Sequence, residues 1–154
     1  MVYAAIRIRG TVNVKPDIRK TMQLLRLTRA NHCVLLEETE VYKGMLQVVK
    51  DYTTWGEINQ DTLTKLLSSR GKLMGDKPLT EEYLKNTTSY QSFEKLSKAI
   101  LENKIKYKDI PEVKPLFRLN PPKKGYRTVK RSFVNKGSLG YRKDTINTLI
   151  ERML

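Results

Sequence analysis

Residues 3–58 read "YAAIRIRGTVNVKPDIRKTMQLLRLTRANHCVLLEETEVYKGMLQVVKDYTTWGEI", and within them the hydrophobic pattern alternates between two periods. At the start, Ile6 and Ile8 fall to one side and Arg7 and Arg9 to the other, the pattern of a half-buried strand with one cationic face. Gly10 ends it. Pro16, favoured at the first helical position, opens "PDIRKTMQLLRLTR" with Asp17 in the first turn. There Ile18, Met22 and Leu25 keep helical spacing, while Arg19, Arg26 and Arg29 gather elsewhere on the surface. "HCVLLEE" reads as a second strand. Thr39 then caps the helix "EVYKGMLQVVKD", with Val41, Met45, Val48 and Val49 as its apolar stripe, and "YTTWGEI" supplies a third strand. Strand, helix, strand, helix, strand makes a complete small α/β unit whose sheet order the pattern leaves open.

Beyond this unit the texture changes. "DTLTKLLSSRG" is a short helix ending at Gly71, "TEEYLKN" begins with a capping Thr80, and "SFEKLSKAILENK" places Phe93, Leu96 and Ile100 on one stripe. These helices are expected to dock on the first unit. Pro111, Pro115, Pro121 and Pro122 punctuate the next stretch of chain, since each removes an amide donor and disfavours helix in the residue before it. The segment is therefore expected to be irregular up to Asp144, which caps "TINTLIERM" and its stripe of Ile146, Leu149, Ile150 and Met153. Four regions result: a core over 1–58, a helical extension over 59–112, a basic irregular arm over 113–143 and an anchoring helix over 144–154.

Charge gives the arm its meaning. The chain of 154 residues carries 30 Lys plus Arg against 16 Asp plus Glu, a net +14. Residues 113–143 hold ten of those cations (Lys114, Arg118, Lys123, Lys124, Arg127, Lys130, Arg131, Lys136, Arg142 and Lys143) and no acid. Such a segment repels itself unless a polyanion lies against it. Phe117, Tyr126, Phe133 and Tyr141 are interleaved with the cations, offering rings on which bases or riboses can stack. RNA is favoured over DNA, because no recognition helix, zinc finger or basic zipper is visible. A membrane surface would call for an amphipathic helix or a lipidation signal beside the charge, and "MVYAAIRIRG" has basic residues where a signal peptide needs an apolar run. The expectation is a protein of the reducing compartment, with Cys33 as its single thiol.

Enzyme motifs weigh little. His32 is the sole histidine and sits beside Cys33, too few ligands for structural zinc and without an orienting group for a nucleophile. Glu37, Glu38 and Glu40 lie where they favour a helix dipole. "GSLG" copies the clamp of KH domains but lacks flanking helices, and "KGYRTV" matches the RNA-recognition-motif signature only in part. No cofactor, metal, catalytic residue or small-molecule substrate is implied.

The residues 3–58 quoted above resemble the core of the L-thirty family of large-subunit ribosomal proteins, the counterpart of the eukaryotic L-seven protein. "FRLNPPKKGYRTVKRSF" and "GSLGYRKDTINTLIERM" resemble the C-terminal extension of its archaeal and eukaryotic members. Without a long basic N-terminal arm, the archaeal form is the nearer likeness. The resemblance implies an α+β fold: a β-α-β-α-β core with a three-stranded antiparallel sheet, the first strand central, somewhat ferredoxin-like, plus the helical extension and its long basic loop. It also implies a cytoplasmic, non-catalytic constituent of the large ribosomal subunit that binds large-subunit rRNA near the 5S rRNA region, beside other ribosomal proteins. The RNA contacts it suggests are Arg7, Arg9, Arg19, Lys20, Arg26 and Arg29 in the core. In the arm they are Lys114, Arg118, Lys123, Lys124, Tyr126, Arg127, Lys130, Arg131, Phe133, Lys136, Tyr141, Arg142 and Lys143. The rival reading is a free RNA-binding or RNA-chaperone protein acting outside the ribosome.

Overall fold

The computed structural model describes residues 1–154, and its centre is the strand β1 (Val2–Arg7). Every residue of β1 is buried, because helices cover both faces of the sheet around it. Val2, Ala4 and Ile6 enter one apolar core and Tyr3 and Ala5 the other. β1 lies between β2 (His32–Glu37) and β3 (Thr53–Glu57), antiparallel to both. The sheet continues to six strands in the order β4-β2-β1-β3-β6-β5.

Six strands, not three, is the main correction to the expected fold. The additional strands are β4 (Phe117–Arg118), β5 (Thr128–Ser132) and β6 (Gly137–Tyr141), all from the segment read as irregular. β4 pairs antiparallel with β2, while β6 runs parallel to β3 and β5 parallel to β6, so the sheet is mixed. None of these strands has a periodic signature. β4 is two residues long, and all five residues of β5 are exposed. β4 and β6 join the sheet by pairing with distant strands, β2 and β3, which a local pattern cannot register.

Helices α1 (Pro16–Leu24) and α2 (Glu40–Val48) cover one face, burying Met22 and Leu46 against Tyr3, Val34 and Trp55. α3 (Gln60–Arg70), α4 (Glu81–Thr87), α5 (Phe93–Leu101) and α6 (Ile146–Met153) form the other layer. Leu63, Leu66, Leu84, Leu96 and Ile150 meet Ala4 and Ile6 there, and Phe117 stacks on Tyr107 with ring centres 4.9 Å apart. Thr39, Thr80 and Ser92 cap α2, α4 and α5 by accepting from the amides of Tyr42, Tyr83 and Lys95.

Two helix readings need correction. In α2 the buried face is Leu46 with Val49 and the half-buried Tyr42 and Met45, whereas Val41 and Val48 are exposed. A window rich in valine and methionine admits two stripes, and only the sheet decides between them. Asp144 does not cap α6; it lies in a 3-10 turn over Lys143–Thr145, and its carbonyl accepts from Asn147 Nδ2 at 2.8 Å. Asn147 also donates to the Glu57 carbonyl at 3.0 Å and accepts the Asn59 amide at 2.9 Å, tying α6 to the end of β3 and the start of α3. Gly56 permits that approach, since a Cβ there would stand 1.9 Å from the Lys143 carbonyl oxygen. No helix is long and apolar enough to cross a membrane.

Candidate nucleic-acid interface

Strand direction sorts the loops, and thereby the charge. The registers place the end of β1 beside the beginnings of β2 and β3, and the end of β4 beside the beginning of β2. The loops meeting at this end are residues 8–15, 27–31, 49–52 and 119–127. They carry Arg9 and Lys15, then Arg29, then Lys50, then Lys123, Lys124 and Arg127, against a single acid, Asp51. β6 pairs with Thr54 only at Gly140, so its start, β5 and the turn 133–136 reach past the beginning of β3 and bring Lys130, Arg131 and Lys136 to the same end. The opposite end receives Glu37, Glu38 and Glu40 after β2 and Glu57 at the close of β3. Cations with almost no acid thus gather at one end, while at the other Glu37, Glu38 and Glu40 are answered by Lys106 and Lys43.

The side chains at the basic end differ in how firmly they are held. Arg7 is buried, not on an open cationic face: its Nη1 donates to the Leu27 and Thr28 carbonyls at 2.9 Å each and its Nε to the Arg9 carbonyl at 2.8 Å. Burial pulls its pKa down, and Nη2 has no partner. Arg9 lies over the Tyr52 ring at 4.9 Å. Arg7, Thr11, Arg19, Gln23 and Thr28 line a cleft of about 310 Å3. Lys20, Arg26 and Arg29 are exposed, but Arg26 lies beside Glu37 and Lys106 toward the other end of β2.

In the arm, Arg142 is buried like Arg7, donating to Thr54 Oγ1 at 2.7 Å and to the Ser138 carbonyl at 2.6 Å above the Phe133 ring; burial lowers its pKa to about 10. Lys114 and Arg118 both engage Asp76, so an internal carboxylate already answers them. Tyr126 is half-buried and donates to Asn31 Oδ1 at 2.7 Å, which fastens the arm to the start of β2. Arg152 clasps the arm from α6, donating to the Lys123 and Gly125 carbonyls. Tyr141 and Lys143 lie at the other end of β6, with Tyr141 donating to Glu57, whose carboxylate holds the phenol well above its ordinary pKa. Lys123, Lys124, Arg127, Lys130, Arg131 and Lys136 are exposed and form no ion pair with the chain's own carboxylates.

Backbone conformation adds a second feature. Arg26, Lys124 and Lys136 have φ of 62°, 66° and 60°, the left-handed region that normally selects glycine or asparagine. Long cationic side chains thus stand at turn positions where they strain the backbone. Lys15 and Lys50 share this end although the sequence pattern does not single them out, because only the strand registers reveal it. His32, read as a core or edge residue, is buried here with Nδ1 3.2 Å from Thr28 Oγ1. Desolvation lowers its pKa, helped by the charges of Arg118, Arg29 and Arg7.

The arrangement is an α+β scaffold presenting exposed cations at one end. A family model described as "Ribosomal protein L30p/L7e" matches residues 3–53. A relative from Methanosphaera stadtmanae named "Large ribosomal subunit protein uL30" is 52% identical over 153 residues, 99% of this chain and 100% of its own. Relatives of the same name from Thermoplasma volcanium and Archaeoglobus fulgidus are 54% and 47% identical, each over 99% of this chain and over 93% and 99% of their own lengths. The chain belongs to the L30p/L7e family of ribosomal proteins.

Proposed function

We propose that this protein is a structural constituent of the large ribosomal subunit that binds large-subunit rRNA through the basic end of its sheet. The observation that carries the reading is the segregation of charge: loops from four separate parts of the chain bring cations to one end with Asp51 as their only acid, while the acidic residues after β2 and β3 gather at the other. Cations so crowded repel one another in the free protein, and phosphates relieve that repulsion while releasing counterions. The scaffold sets shape and register. Exposed side chains such as Lys123, Lys124, Arg127, Lys130, Arg131 and Lys136 supply most of the attraction. The family's ribosomal membership supports the subunit assignment, and the site needs no catalytic role. The expected location on the subunit is near the 5S rRNA region, beside neighbouring ribosomal proteins.

Filter binding to large-subunit rRNA over a range of salt tests the RNA contact. If five to ten phosphates are neutralised, log K against log salt should have a slope of about −4 to −9. A slope near zero overturns the electrostatic reading.

A further inference from the structure

The edge of the sheet beside β2 is only partly covered. β4 accompanies His32 and Cys33 alone, so residues 34–37 have no partner strand on that side. Alternate residues of such an edge leave N–H and C=O groups available to another chain. Next to this free edge lies a cavity of about 190 Å3 lined by Leu24, Leu25, Val34, Leu36, Ile100 and Ile105, and Leu24 stands at its rim 65% exposed. Arg26, Lys106 and Lys108 line it with Glu37, which Lys106 holds at 3.1 Å, and the next acids along the chain, Glu38 and Glu40, are held by Lys43. Arg26 and Lys108 have no ion-pair partner.

We infer that this groove receives an extended acidic segment of a second protein, which pairs with residues 34–37 as an added strand and seats one apolar side chain in the cavity. The three features define one occupant. A free strand edge is satisfied by a peptide backbone and not by a sugar-phosphate chain. An apolar cavity beside it takes the side chain of alternate residues, and the uncompensated cations select carboxylates on the others, one of which can replace Glu37 on Lys106. A second copy of this chain is disfavoured, since each copy carries +14 and the edge is itself flanked by cations. The inference concerns a protein partner and does not rest on the RNA face.

Amide NMR spectra of the isotopically labelled full chain, titrated with synthetic peptides alternating Leu with Glu or Leu with Lys, test it. The Leu/Glu peptide should shift the amides of residues 34–37 saturably and slow their exchange, and the Leu/Lys peptide should bind at least about tenfold more weakly, a difference of about 1.4 kcal/mol. Leu24→Asn, and separately Lys106→Gln with Lys108→Gln, should each weaken the Leu/Glu peptide about tenfold while leaving the remaining spectrum unchanged, which verifies folding. Absence of saturable shifts at residues 34–37, equal binding of both peptides, or a short oligouridylate shifting those amides at lower concentration would each overturn the proposal.

Discussion

Arg7 and Arg127 have the same side chain and opposite circumstances. Arg7 spends its guanidinium on three backbone carbonyls inside the fold, whereas Arg127 is free at the surface. Arg7→Met leaves those carbonyls without their charged donor and should cost about 3 kcal/mol in urea unfolding, as hydrogen bonds to charged groups contribute more than neutral ones. Arg127→Ala should leave stability within about 0.5 kcal/mol and weaken RNA binding instead, lowering the salt slope by about 1. Lys124 and Lys136 permit an opposite-signed test. Left-handed backbone costs a non-glycine residue about 1–2 kcal/mol, and glycine's extra chain entropy costs about 0.5–1 kcal/mol. Relief of strain wins, so Lys124→Gly or Lys136→Gly should stabilise the free protein by roughly 0.5–1 kcal/mol while weakening its grip on RNA. His32 offers a pH test. Its folded pKa lies below its unfolded value, so folding favours the neutral ring. That contribution is complete above the unfolded pKa of about 6.5 and is lost as pH falls through the folded pKa. The free protein should therefore weaken on acidification from neutrality. If phosphates engage Arg118 and Arg29, the ring titrates at higher pH in the RNA complex, as NMR of its carbon-bound protons would record; an unchanged titration contradicts contact there. Alternation along "IRIR" shows that Arg7 and Ile6 diverge, but not that a second layer of helices covers the arginine.

At the scale of elements, the segment 113–143 is both frame and probe. Phe117 and Leu139 are core residues, and Gly137 packs so tightly that a Cβ would stand 2.0 Å from the Arg131 carbonyl oxygen. Deleting the whole segment should therefore unfold the protein. Replacing only Arg127, Lys130, Arg131 and Lys136 with glutamine should keep the thermal midpoint within a few degrees and reduce the salt slope by about 3–4. Loss of folded structure in that variant would show that these side chains hold the frame. Asn147→Ala, which removes two hydrogen bonds joining α6 to β3 and to the start of α3 and a third to Asp144, should cost about 2 kcal/mol without altering that slope. The strongly periodic elements are legible in the sequence: α1 from Pro16 and Met22, α5 from Leu96 and Ile100, α6 from Ile146 to Met153. β4 and β5 are not, because two-residue pairing and a fully exposed strand leave no mark on hydropathy, and in β6 only Leu139 among the buried residues is strongly apolar. In α2 the pattern yields the right period and half of the buried face, Met45 and Val49, but takes the exposed Val41 and Val48 for the buried Leu46, which is equally apolar.

Over the whole molecule, the cations can be counted from the sequence but not located. Carboxylates are absent from the arm, yet what joins its cations to others is that β1, β2 and β3 turn at the same end and deliver Arg9, Arg29 and Lys50 beside it. The same topology carries Lys143 and Tyr141 to the acidic end, away from the arm residues beside which they stand in sequence. A polarised surface of this kind should seat the protein firmly in the large subunit. The experiment that decides it is sedimentation of a native lysate through sucrose at high magnesium, after a high-salt wash, with the protein followed by mass spectrometry across the gradient. Recovery near one copy per large subunit is the expected result; recovery mainly at the top of the gradient would contradict it and favour a free RNA-binding protein.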